Sequence, residues 1–256
     1  MLLRTSIAVL CAAFLSVSYS IPAQAADSPP IIEGFGCTFL EGQDFDDLDK
    51  AIDFYKAQLP KIKSPELQKM GSVLWVPYRG TVNADFVWIN TNMTLNEWGK
   101  LSVAYDSSKE GQAADEKFFD VAKCNSGLAT NETLFQTDDQ FTDNDEVLIQ
   151  SFRCQLHPGK TVADTDAAIA AWKPVFAKAV KGTNAASLVM RRLPLVSGSG
   201  YDLTYAAVWA DVAAYAETTS AFQADPDSAR SDQLFTEAHR CDSAMFKGRI
   251  VVPWQD

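Results

Sequence analysis

The sequence predicts an α+β fold assembled from two copies of one β-α-β-β-α-β unit, each with an antiparallel sheet. Three observations lead there. Four cysteines remain once Cys11 is set aside with the N-terminal leader, and 124 − 37 and 241 − 154 both equal 87. The chain matches itself without a gap at an offset of 154 − 37 = 117 residues. Each half then gives the same order of strand and helix signals.

At that offset Phe35 falls on Phe152, Gly42 on Gly159, Asp47 on Asp164, Ala51-Ile52 on Ala168-Ile169 and Lys56 on Lys173. Pro77 falls on Pro194, Asp85 on Asp202, Phe118 on Phe235 and Ser126 on Ser243. Aromatic pairs fill the intervals: Tyr55 with Trp172, Trp88 with Tyr205, Trp98 with Tyr215 and Tyr105 with Phe222. The units are placed at 30–136 and 147–256, joined by an acidic, turn-rich linker at 137–146. That linker lacks the central Gly and terminal Glu of a calcium loop, so it reads as a solvated connector.

In unit one, Ile31–Phe39 reads as a strand and Asp46–Leu59 as a helix. The acidic Asp44–Asp49 stretch suits a first helical turn, where carboxylates cap free N–H groups and complement the dipole. Val73–Tyr78 and Phe86–Asn90 read as strands joined through the turn-rich Arg79–Ala84. Leu95–Tyr105 and Gln112–Val121 read as helices, and a last strand lies at Glu132–Phe135. Unit two repeats this with strands at Val147–Leu156, Leu188–Leu193, Leu203–Trp209 and Met245–Val252. Its helices fall at Asp164–Ala179, Val212–Phe222 and Ser228–His239. With the paired helices counted as one layer, each half is a ferredoxin-like split βαβ.

The leader is read from Arg4, the apolar run Ile7–Val17 and the small-x-small triplet Ala23-Gln24-Ala25. The run is too short to span a bilayer, so residues 1–25 are expected to be a cleaved signal peptide. Leu10 before Cys11 argues against a lipoprotein. The mature chain is expected in the periplasm or outside the cell, with no further membrane segment. The full sequence has 22 Lys plus Arg against 33 Asp plus Glu, a net charge of −11, which disfavours nucleic acid as a partner.

An oxidising compartment favours disulfides, and four cysteines allow three connectivities. The equal spacing selects Cys37 with Cys124 and Cys154 with Cys241. A ferredoxin-like sheet supports the choice, because its first and last strands lie side by side and antiparallel. No Cys-x-x-Cys or His cluster favours a metal site, and none is assigned.

Two such units in one chain resemble the dimeric α+β barrel superfamily, in which two ferredoxin-like sheets pack face to face around a cavity. The chain is also similar to uncharacterised secreted bacterial proteins carrying Cys-x-Phe-x-x-Gly, here Cys37 to Gly42, and a later Asp-Phe-x-Trp, here Asp85 to Trp88. Unit two departs from both motifs, with Leu156 for the Phe and Tyr205 for the Trp. The superfamily includes cofactor-free monooxygenases, isomerases, haem-degrading enzymes and plain ligand binders. The resemblance therefore implies a pseudo-dimeric barrel with a cavity and selects no chemistry.

Strand alternation sorts candidates by face. Phe35, Cys37 and Phe39 are assigned to the core under the helices, with Gly34, Gly36 and Thr38 facing the cavity alongside Ser151, Arg153 and Gln155. Trp75, Trp88, Asn90, Arg192 and Tyr205 are assigned to the cavity face, and Val87 and Ile89 to the helix side. Trp75, Trp88, Asn90, Arg153, Arg192 and Tyr205 thus form the expected ligand-binding group, with aromatic walls and forked donors for a carboxylate. His157 and His239 are unduplicated, so neither haem nor zinc is expected. Gly159-Lys160-Thr161 lacks the rest of a phosphate loop and reads as a turn.

The leading expectation is a secreted binding protein for an apolar or aromatic carboxylate, without a cofactor. A cofactor-independent monooxygenase or isomerase using Tyr205, Trp88 or His157 is the second reading, and a protein interaction module the third. The sequence states no oligomeric state.

Overall fold

The computed structural model describes residues 29–137, 146–183, 187–196, 198 and 200–253. The expected signal peptide at 1–25, and residues 138–145 of the expected linker, lie outside the described residues.

Unit one runs β1 (Pro30–Phe39), α1 (Phe45–Gln58), two short 3₁₀ turns (Leu59–Lys61 and Pro65–Gln68), β2 (Gly71–Arg79), β3 (Phe86–Thr94), α2 (Leu95–Ser107), α3 (Lys109–Phe119) and β4 (Ala122–Gln136). Unit two runs β5 (Val147–Leu156), α4 (Val162–Thr183), β6 (Ser187–Val196), β7 (Leu203–Trp209), α5 (Val212–Ala224), α6 (Ser228–Ala238) and β8 (His239–Val252). The strands close into one barrel in the order β1-β3-β2-β8-β5-β7-β6-β4. Each unit supplies four adjacent strands, β2-β3-β1-β4 and β6-β7-β5-β8, which is the ferredoxin-like order. Antiparallel β2·β8 and β4·β6 ladders join the two sheets. Closure removes both sheet edges, so neither unit offers an open strand for aggregation.

Local chemistry sets the helix starts. Asp44 accepts from the Asp46 and Asp47 N–H groups, as its place before the helix suggested. Thr94 and Glu97 cap α2 reciprocally, and Asp211 caps α5.

The last strand of each unit is longer than its sequence suggests. β4 starts at Ala122 instead of Glu132, and β8 at His239 instead of Met245. Lys123, Asn125 and Ser126 carry no apolar alternation. Their extended state comes from pairing with β1, which runs from Phe39 opposite Ala122 to Ile31 opposite Thr130. Cys37 therefore faces Cys124 directly, as Cys154 faces Cys241. Both predicted disulfides form, with Cα atoms 4.0 and 4.1 Å apart.

The structure corrects one assignment of faces. Cross-strand partners share a face, and Trp88 pairs with Phe35 while Tyr205 pairs with Phe152. Trp88, Asn90 and Tyr205 thus lie under the helices, and Val87 and Ile89 point into the barrel beside Trp75. Sequence alignment of the repeats cannot reveal this, because the register between β2 and β3 sets which residues meet.

Three cores result. The barrel interior packs Ile32, Trp75, Ile89, Ile149, Met190, Ala206, Val208, Ala244 and Phe246. Under the unit-one helices lie Leu48, Ile52, Leu74, Phe86 and Trp88. Under those of unit two lie Phe176, Val180, Leu203, Tyr205 and Trp209. Each large apolar side chain buried in this way contributes roughly 1.5–3 kcal/mol. No helix among the described residues is long and apolar enough to cross a membrane.

Candidate functional site

The unit-one sheet and its helices enclose a cavity of about 360 Å³, lined by Met70, Met93, Leu101 and Phe118 among apolar groups. Into this apolar space β1 sends a carboxylate. Glu33 lies two residues before Phe35, so alternation turns it under the helices, opposite Asn90 of β3. Asn90 Oδ1 accepts from Ser72 Oγ and from Trp88 Nε1, both at 2.8 Å. Because an indole nitrogen only donates, these bonds fix the amide, and its NH₂ must face the other way. It reaches Glu33 Oε2 at 3.4 Å.

Helices α2 and α3 complete the pocket. Tyr105 donates to Asp115 Oδ1 at 3.0 Å, tying one helix to the next. Trp98 of α2 is half-buried, and its Nε1 atom, which is fully buried, closes no hydrogen bond of regular geometry. Its indole edge still favours the ionised form of Glu33. The pocket thus holds a buried indole N–H beside a carboxylate.

Burial is the largest influence on that carboxylate and raises its pKa above the ordinary 4.5. Contacts with Asn90 and Trp98 oppose the rise, while the charges of Asp106 and Asp115 add to it. Burial likewise raises Asp115 and Tyr105. A proton acceptor poised upward in an apolar cavity is the arrangement general-base chemistry uses.

The second unit has a matching cavity of about 370 Å³ with different chemistry. Gln150 stands for Glu33, Ala207 for Asn90 and Phe222 for Tyr105, so the carboxylate and its anchor are gone. Tyr205 Oη lies 3.3 Å from His239 Nε2, and His239 Nδ1 lies 3.2 Å from Cys241 Sγ. Burial pushes Tyr205 up to about 12 and His239 down.

No protein-family model and no curated relative matches the sequence. Solved structures do. A protein of Lactobacillus acidophilus NCFM described as a "putative monooxygenase" shares 14% identity over 88% of this chain and 100% of its own, with a TM-score of 0.55. One of Fusobacterium nucleatum with the same description shares 10% over 88% and 94%, at 0.58. An anthrone oxidase-like protein shares 12% over 88% and 94%, at 0.53. The chain has the dimeric α+β barrel fold. At these identities the likeness is one of architecture alone.

Haem, which the resemblance brings into question, is not suited by the histidines of this α+β barrel. Both ring nitrogens of His239 are engaged, and His157 Nε2 lies 3.0 Å from the Thr236 carbonyl, outside either cavity. Cys154, His239 and Cys241 cluster, but both sulfurs belong to a disulfide and cannot ligate a metal.

The α+β barrel divides the six expected ligand-binding residues among three places. Trp88 and Asn90 reach the unit-one pocket, Tyr205 the unit-two pocket, and Trp75, Arg153 and Arg192 the barrel interior. Sequence reasoning missed Glu33, Trp98, Tyr105 and Asp115. One signal was present: Glu33 shares the face of Phe35 and Cys37, an acid on an otherwise apolar stripe. The helical residues gave none, since α2 and α3 must be packed before Tyr105 meets Asp115.

Proposed function

We propose that the unit-one pocket of this α+β barrel binds a small, flat aromatic bearing a hydroxyl or an acidic C–H, and that Glu33 accepts its proton. The observation that carries this reading is the Glu33 carboxylate, anchored by Asn90 inside an apolar cavity that raises its pKa. Tyr55, Trp88 and Phe118 supply aromatic walls, and the Trp98 N–H supplies a donor for a carbonyl or phenolate oxygen. The reaction class is cofactor-independent proton abstraction, as in an isomerase or in the first step of an oxygenation. The descriptions of the structural neighbours are compatible with it.

This reading treats 30–136 and 147–256 as copies of one ferredoxin-like unit, with chemistry retained in the first. It also places the mature protein outside the cytoplasm. Two disulfides and the composition of the leader support that location.

Solvent-deuterium exchange into a panel of naphthols and aromatic ketones, followed by NMR, tests the proposal. Exchange catalysed by the wild type and lost in Glu33→Gln is expected. Neither exchange nor binding for any member of the panel would refute it.

A further inference from the structure

Trp75 and Arg192 hold the same position in the two repeats, on β2 and β6, and both side chains enter the barrel. The Arg192 guanidinium carbon lies 4.9 Å from the centre of the Trp75 ring. Only 8% of Arg192 is exposed. Its Nε donates to Asn131 Oδ1 at 3.3 Å, and no carboxylate pairs with it among the described residues. Burial accordingly pulls its pKa down to about 10. A buried, uncompensated guanidinium destabilises a fold unless something anionic joins it.

Space for such a group lies beside it. The barrel interior holds a cavity of about 350 Å³, near the lower end of the roughly 300–1,000 Å³ typical of ligand sites. Ile32, Val87, Ile89 and Phe246 give it apolar walls. Gly34 and Gly36 of β1 border it, and a Cβ built on either would meet nothing within 4 Å. Unit two has Ser151 and Arg153 at those positions, so the repeats differ in a way that leaves room on one side. Arg153 also lines the cavity, donating to the Thr81 carbonyl at 3.3 Å.

We propose that the barrel interior binds a small monocarboxylate with an apolar body, its carboxylate seated on the Arg192 guanidinium beside Trp75 and Asn131. One fully buried cation matches one negative charge. The planar guanidinium suits a bidentate carboxylate, and the Ile32, Val87 and Ile89 wall suits an aliphatic or aromatic body.

Calorimetric titration with benzoate, phenylacetate and octanoate, set against benzamide, phenylacetamide and octanamide, tests the proposal. The acids are expected to bind at least roughly tenfold more tightly than their amides. Arg192→Gln should reduce the acids to the level of the amides. Gly36→Val, which fills the cavity from β1, two strands away from β6, should weaken the acids without touching the guanidinium. Added naphthol should leave acid binding unchanged, because the sheet separates the barrel from the unit-one pocket. Equal affinity for acid and amide, no binding of any acid, or full acid affinity in a folded Arg192→Gln protein would overturn the site. Should Arg192→Gln not fold, undiminished acid binding by Gly36→Val overturns it instead. Displacement of the acid by naphthol would also overturn the barrel location.

Discussion

Arg191 and Arg192 are neighbours on β6, yet they point to opposite sides of the barrel wall. Arg191 turns outward, donating to Glu132 Oε2 of β4, to Asp166 Oδ1 and to Thr165 Oγ1 of α4. It therefore stitches a strand of unit one to a helix of unit two. Arg192 turns inward and meets no carboxylate among the described residues. Their substitutions should have opposite effects. Arg191→Met strands two acids that are about half exposed, and should cost on the order of 1–2 kcal/mol in urea denaturation. Arg192→Met removes an uncompensated charge from an apolar interior, so it should melt no lower than the wild type in ligand-free buffer. A large loss for Arg192→Met would show that the charge is compensated within the fold.

Glu33 makes stability depend on pH in a defined direction. Its folded pKa is raised, so the folded state holds the proton more tightly than the unfolded chain. Its contribution is complete below about 4.5 and is lost as pH rises through the folded value. Glu33→Gln should consequently be more stable than the wild type at neutral pH and gain nothing at pH 4. Parallel melting curves of the two proteins across pH 4–8 measure this. An advantage that is constant with pH would remove Glu33 as its source.

Each disulfide closes a separation of 87 residues between directly opposed strand positions. Replacing Cys37 with Cys124, or Cys154 with Cys241, by paired alanines should lower stability by roughly 2–5 kcal/mol. Non-reducing peptide mapping should recover only these pairs. A peptide joining Cys37 to Cys154 or Cys241 would contradict the barrel register itself.

Processing supplies a fourth check. Expressed with its leader in a bacterium, the chain should be recovered from the periplasm or medium with Ala26 as its first residue. Intact mass measurement decides it, and a retained 1–25 segment would place the protein elsewhere.

The repeat offset made much of the architecture readable before any coordinates. Element order, both disulfides and the two ferredoxin-like units all follow from it. The full extent of β4 and β8 did not, because Lys123 to Gly127 and Arg240 to Ser243 are extended by their partner β1 or β5 and not by their own apolar pattern. The candidate pocket was only partly visible. Trp88 and Asn90 stand out by residue type, but residue type does not say which side of the sheet they face. In the structure Trp75 pairs with Val87, so Trp75 and Trp88 lie on opposite faces.

Covalent spacing and periodicity are properties of the chain read along its length, and they suffice for the repeated element order and for which cysteines join. Which face a residue shows, and which acid is desolvated by its neighbours, depends on ladders between strands far apart in the chain. Glu33 acquires its character from Asn90, Trp98 and Asp115, and Arg192 from Trp75 and Asn131. Desolvation and pairing are set by those neighbours, and only closure of the barrel brings them within reach.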